Sequence, residues 1–219
     1  YLILAGEMTR ASEMIKVNFQ HIFERGHFDV LWKWLDDLGS DFVNKEYKLL
    51  YLRALLLKFF IGNIEESLPV LDKAIMLLED SDDNEFLVKC SISRSRNLIS
   101  LGRVNEAIKL LKEADNINVE PLSKAKLLFL SAYAYYQNSD YDRSLELLNS
   151  AAEIINSEEY SVKSTADVKQ ELFNLFGHIF LIRGDYSKSI SYYERSIKNT
   201  EQIFGKYVTI CNLVLLYSQ

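Results

Sequence analysis

The sequence predicts an all-α protein built from antiparallel helix pairs, and three observations carry that expectation. A short phrase recurs along the chain, a turn residue followed by x-apolar-x-x-small-apolar. Gly62-Asn63-Ile64 leads to Ser67 and Leu68, Gly102-Arg103-Val104 to Ala107 and Ile108, Ser139-Asp140-Tyr141 to Ser144 and Leu145, and Gly184-Asp185-Tyr186 to Ser189 and Ile190. Behind each phrase the apolar residues keep the i, i+3, i+4 period of a helix with one buried face, as in Leu71, Ala74 and Ile75, or Tyr193, Ser196 and Ile197. The chain also has only 2 prolines and 8 glycines, and five of those glycines fall at predicted turns rather than inside helices, where they are costly.

The elements follow in order. Ala5 to Ala11 already carries the turn phrase at Gly6, and the next turn, Gly26-His27-Phe28, comes only 20 residues later, so one long helix lies between them. Phe28, Leu31, Trp32, Leu35 and Leu38 form the apolar face of a shorter helix that ends near Gly39. Trp32 and Trp34 point to different sides of it, so only one is expected in the core. Ser40 to Lys45 reads as a polar connector. Tyr47 to Ile61 is a strongly apolar helix ending at Gly62. Pro69 falls several residues into the next helix, where losing a backbone hydrogen bond should kink it. Pro121 follows Asn118-Val119-Glu120 and suits the first turn of a helix. The last hairpin runs from Phe176 to Ser196. Its first helix presents Phe173, Phe176, Phe180 and Leu181, Gly184 ends that helix, and Tyr186 restarts the apolar face.

The turn positions 62, 102, 139 and 184 are spaced by 40, 37 and 45 residues, somewhat longer than the ~34 of a tetratricopeptide (TPR) unit. The last unit resembles that repeat residue by residue. Gly177 matches its close-packing glycine, Phe180 its aromatic, and Gly184, Asp185 and Tyr186 its turn. Ser189 and Ser196 stand where the pattern has alanine, and Glu201 where it has the closing proline. The resemblance implies a TPR-like α-solenoid with a right-handed superhelix, as a single domain over 1–219, with irregular entry helices over 1–44 and regular hairpins over 45–219. A second resemblance is narrower. The run from Gly26 to Ala74, through Gly26, Trp34-Leu35, Leu38, Leu49, Leu52, Ala54 and Gly62, resembles the entry to the helical-repeat region of the large ATP-binding transcriptional regulators of the LuxR type. The prolines this family places after the Leu38 position and before the next helix are absent. That resemblance implies a bacterial effector sensor that couples ligand binding to self-association, between an ATP-binding module and a DNA-reading module.

Composition narrows the function classes. The net charge of −6, with both signs interspersed, leaves no basic stripe for nucleic acid. Cys90 and Cys211 have no CxxC spacing and are expected as buried apolar thiols. No leader or membrane-length apolar run is visible, so a cytoplasmic protein without membrane contact is expected. The chain starts at Tyr1 and stops at Gln219 inside predicted helices, and is expected to be a piece of a longer protein. No GxxxxGK[ST] occurs, since Thr200 precedes Gly205-Lys206 where a first glycine is needed; no cofactor is expected on this stretch.

Catalytic and metal chemistry find little support. His21 and His27 are six residues apart, the wrong spacing for two ligands on one helical face, and are expected at the surface. His178 is expected as a hydrogen-bonded packing residue. The acidic cluster of Glu79, Asp80, Asp82, Asp83 and Glu85 lacks the glycine and spacing of a calcium loop and reads as a connector with a helix N-cap. With no nucleophile–base pair converging, no enzyme is expected. The TPR resemblance turns the first helices of the hairpins toward a concave wall and implies that Arg53, Lys89, Ser93, Arg96, Tyr133, Tyr136, Gln137, Asn174 and His178 line it. Such a wall suits a small-molecule or peptide effector, or a partner protein. Two functions follow, a ligand sensor and a protein-docking scaffold.

Overall fold

The computed structural model describes residues 6–79, 81–157, 162–199 and 209–214, and among them there are helices and turns but no strand. Asp80, Thr200, Glu201 and Gly205-Lys206, which the sequence reading singled out, lie outside the described residues, as does Ala5.

The helices form two compact units, residues 1–103 and 104–219. In the first, α1 (Met8–Glu24), α2 (Phe28–Leu38), α3 (Ser40–Val43), α4 (Tyr47–Leu56), α5 (Ile64–Glu79) and α6 (Asn84–Ser100) surround one core. Leu31, Val43, Leu49, Leu52, Leu56, Leu71, Ala74, Leu78 and Cys90 are fully buried in it. In the second, α7 (Val104–Ala114), α8 (Pro121–Gln137), α9 (Tyr141–Asn156), α10 (Val162–Ile182) and α11 (Tyr186–Lys198) are described, with a helical segment over 209–214. Here α8 pairs with α9 and α10 with α11. Ala125, Ala132, Leu148, Ala151, Leu172 and Ile179 lie at the centre.

The recurring turn phrase works by two devices in sequence. Its first residue is left-handed, with φ of 79° at Gly62, 75° at Gly102 and 75° at Gly184, which lets the chain double back on the last helical carbonyls. Ser139 holds the same conformation at φ 61°, the one non-glycine residue with positive φ among those described. The following Asn or Asp then caps the next helix. Asn63 Oδ1 accepts from the Glu66 N–H (3.1 Å), Asp140 Oδ1 from Arg143 (3.1 Å) and Asp185 Oδ1 from Lys188 (3.2 Å).

The turn at Gly62 differs in one respect. At the others the residue after the left-handed one donates to the carbonyl five positions back: Arg103 to Leu98, Asp140 to Tyr135, Asp185 to Phe180. Asn63 donates six back, to Leu57 (2.8 Å), because α4 ends in a π-helical turn over Leu57–Ile61. That extra residue rotates Phe59, Phe60 and Ile61 outward, and all three are exposed.

Several local expectations need correction. Residues Ser40–Val43 form the helical turn α3 and not a connector, because Phe42 packs on the first core and Val43 is fully buried in it. Trp32 and Trp34 are both half-buried against that core, so neither is the lone core tryptophan. Pro69 lies inside α5, which runs from Ile64 to Glu79. Tyr186 is exposed, and the buried stripe of α11 starts at Ser189. Cys211 is exposed and Cys90 buried; burial pushes the Cys90 thiol up to about 12.

Candidate functional site

The small residues of the second helices let each pair approach closely and place hydroxyls against the backbone of the first helix. In α8–α9 the buried Ser144 hydroxyl donates to the Ala132 carbonyl (2.8 Å), and in α10–α11 Ser189 donates to Gly177 (2.8 Å). Both bonds span twelve residues, so the two hairpins share one register. Ser196 adds a third bond, to the Gln170 carbonyl (2.9 Å). Serine thus fills the small position and ties the backbones together where alanine would only fill it. Gly177 has the role its position implies, since a Cβ there would lie 2.5 Å from Tyr193 Cε1.

In the second unit the expected wall residues form one patch on α8 and α10. The Tyr133 and Tyr136 rings stack at 6.3 Å, and Gln137 Nε2 donates to the Tyr133 hydroxyl (2.8 Å). Tyr136 reaches across to His178, centroid to centroid 6.2 Å. His178 is a packing residue as well: its Nδ1 meets the Tyr193 hydroxyl (3.0 Å) and its Nε2 faces Asn212 Nδ2 (3.5 Å). Burial holds the imidazole below its usual pKa and therefore neutral. Burial raises the Tyr136 phenol, with Tyr141 and Tyr133 acting in the same sense, and pushes Tyr193 up to about 12. Asn174, one turn before His178, has a buried Oδ1 with no hydrogen-bond partner.

In the first unit Lys89, Ser93 and Arg96 gather around Tyr51. The Lys89 ammonium lies 5.0 Å from the Tyr51 ring centre and 5.2 Å from that of Phe86. Burial raises the Tyr51 phenol strongly, while Ser93 and Arg96 act against that rise. Arg53 stands apart from this group, over Trp32 at 5.9 Å. Two residues belong here that sequence reasoning missed. Tyr51 is the ring around which the others assemble. Lys58, half-buried at the end of α4, donates to Asn97 Oδ1 (2.7 Å), whose own amide donates to Ser67 Oγ (2.7 Å). The seven-residue spacing of Tyr51 and Lys58, which puts both on one helical face, was the signal that could have found them.

The acidic cluster has a structural role in its described part. Asp83 caps α6 by accepting from the Phe86 N–H (3.1 Å) and takes the Tyr47 hydroxyl (2.9 Å). Among the described residues no group of three or more His, Cys, Asp or Glu side chains is placed to hold a metal ion. Nor is any described helix long and apolar enough to cross a membrane.

Residues 170–202, the stretch that holds the α10–α11 hairpin, match the tetratricopeptide repeat family. No curated protein matches the chain in sequence. Among solved structures the chain is similar to PilF of Pseudomonas aeruginosa, with a TM-score of 0.68 at 11% identity over 90% of this chain and 79% of that one. It is also similar to BtubC from P. vanneervenii, with a TM-score of 0.64 at 14% identity over 98% and 83%. A third likeness is to MamA, residues 41 to the end, from Desulfovibrio magneticus, with a TM-score of 0.59 at 14% identity over 86% and 94%. None of these supports the resemblance to LuxR-type regulators. The chain therefore carries a tetratricopeptide repeat at residues 170–202 within an all-α, TPR-like helical-repeat fold.

Proposed function

We propose that this chain is a non-catalytic docking scaffold that captures a segment of another protein on the exposed faces of its first helices. The observation that carries the reading is the α8–α10 patch: two stacked tyrosine rings, Tyr133 and Tyr136, with His178 against Tyr136. Stacked rings with a neutral imidazole offer an uncharged aromatic seat. An extended peptide supplies a side chain for the rings. The likeness to TPR-like folds supports this, and the comparisons favour it over the sensor reading.

The experiment is to pan a displayed library of random peptides against the chain and to measure the recovered peptides by calorimetry. Binding should weaken by about 1–3 kcal/mol in Tyr136→Ala, the usual cost of losing an aromatic anchor. Peptides that bind this variant as tightly as the parent would place docking elsewhere. If the library yields nothing while a small polar compound binds and changes self-association, the sensor reading takes its place.

A further inference from the structure

The second unit holds a cleft that the aromatic patch does not use. It opens between α7, α8 and α9, has a volume of about 70 Å³, and is floored by Ile108, Leu111 and Leu147, with Lys112, Tyr135 and Arg143 around it. It lies on the other side of α8 from the tyrosine pair. At about 100° per residue, Ser131 and Tyr135, which line the cleft, stand roughly 170° from the mean direction of Tyr133, Tyr136 and Gln137.

The two cations of the cleft differ in what already occupies them. Arg143 pairs with Glu146 on the same helix (2.7 Å), an exposed contact that holds weakly. Lys112 makes no ion pair among the described residues, and its ammonium sits over the Tyr135 ring, 5.9 Å from the centre. The carboxylates close to it in sequence are taken, Glu113 by Lys109 (4.0 Å) and Asp115, which also borders the cleft, by Lys124 (2.8 Å). Ser131 donates to the Leu127 carbonyl (3.0 Å) and has no proton left to offer. The donors that border the cleft are therefore the Lys112 ammonium, the Arg143 guanidinium and the Tyr135 hydroxyl.

We propose that this cleft binds a carboxylate carried on a short hydrocarbon stem, with the charge at Lys112 and the stem on Ile108, Leu111 and Leu147. An ammonium with three donors draws an anion, and three aliphatic side chains favour methylenes, which a phosphate lacks. Size sets the length of the stem. At about 10–15 Å³ for each water-sized group, the cleft has room for butyrate or for a glutamate side chain from Cβ outward. The site goes beyond the docking reading above, since cleft and aromatic patch occupy opposite sides of α8.

The test follows the NMR amide shifts of the isotope-labelled chain during titration with acetate, butyrate and hexanoate, with butyramide and inorganic phosphate as controls. Butyrate should saturate, with shifts centred on residues 108–112, 131–135 and 143–147. A fully buried methylene is worth about fourfold, so butyrate should bind at least about threefold more tightly than acetate. Hexanoate, whose further methylenes lie outside the cleft, should bind no more tightly than butyrate. Lys112→Gln, at an exposed position, should weaken butyrate at least about fivefold. Lys109→Gln removes the same charge from the same helix but lies outside the cleft, and should change nothing. Equal binding of butyramide and butyrate, tighter binding of phosphate, equal losses in the two lysine variants, or no saturation by about 50 mM each overturns the proposal. Acetyl-Ala-Glu-Ala-amide distinguishes the source of the carboxylate. Binding as tight as that of butyrate assigns the cleft to a glutamate side chain of a partner, and binding by the free acids alone assigns it to a small acid. Tyr136→Ala should leave butyrate binding unchanged, so failure of the docking reading and failure of this one are read separately.

Discussion

Gly177→Ala pits helix propensity against packing. Gly177 lies inside α10, where alanine should stabilise the helix by about 0.8–1.0 kcal/mol. The new Cβ, however, would lie 2.5 Å from Cε1 and 2.6 Å from Cδ1 of Tyr193. That ring cannot step aside cheaply: Tyr193 is fully buried, and its hydroxyl is held by His178 Nδ1 at 3.0 Å. The helices cannot simply separate either, because Ser189 donates to the Gly177 carbonyl itself. Overpacking of this kind costs about 1–3 kcal/mol, so after the propensity gain the net change should be a loss of roughly 0 to 2 kcal/mol. In urea, with a slope of about 2 kcal/mol/M, the midpoint followed by circular dichroism should fall by up to ~1 M. In a Tyr193→Leu background, whose side chain can rotate away, the same substitution should be neutral or stabilising. If Gly177→Ala raises the midpoint of the parent, the close approach of α10 and α11 at this glycine is refuted.

Four further outcomes follow from the geometry. Ser139→Gly should stabilise by about 0.5–1 kcal/mol, because it removes a side chain from a left-handed position, while Gly184→Val should destabilise by ~1 kcal/mol or more; both are read from urea midpoints. Ser189→Ala should cost only about 0.5–1 kcal/mol, since the Gly177 carbonyl keeps its place in the α10 ladder when the hydroxyl leaves. Asp83→Ala should cost about 1–2 kcal/mol, because it removes the α6 cap and the partner of Tyr47 together. The pKa of His178 is lowered on folding, so the unfolded chain binds its proton more readily. Stability should therefore fall as pH drops below about 6.5, and a His178→Gln variant compared over pH 7.5 to 5 should lack that part of the slope.

The turns were legible because each is written in residue types whose conformations are restricted. A left-handed residue followed by Asn or Asp is a backbone instruction, and the register of the phrase was strong enough to mark Ser139 without a glycine. Helix interiors were legible from the apolar period, and the close-packing role of Gly177 from the resemblance to the TPR unit. What escaped was whatever depends on neighbours distant in sequence. The π turn at Leu57–Ile61 carries no local signature, and α3 was hidden because polar residues outnumber Phe42 and Val43 over Ser40 to Lys45, although both of those pack on the first core. In the candidate site, the stacking of Tyr133 on Tyr136 could be anticipated from their spacing on one helix. The bond of Lys58 to Asn97 could not, because it depends on how α4 packs beside α6.

Charge illustrates the same limit and bears on function. An average of −6 with interspersed signs argues against any cationic face, yet the average is taken along the chain and a partner meets helices. In the first unit the stretches 47–63 and 86–103 hold no Asp or Glu, while α5 between them carries Glu65, Glu66, Asp72 and Glu79. The second unit does not repeat this. Its patch on α8 and α10 is aromatic, with His178 held neutral by burial. Two faces of different chemistry cannot be satisfied by one kind of contact.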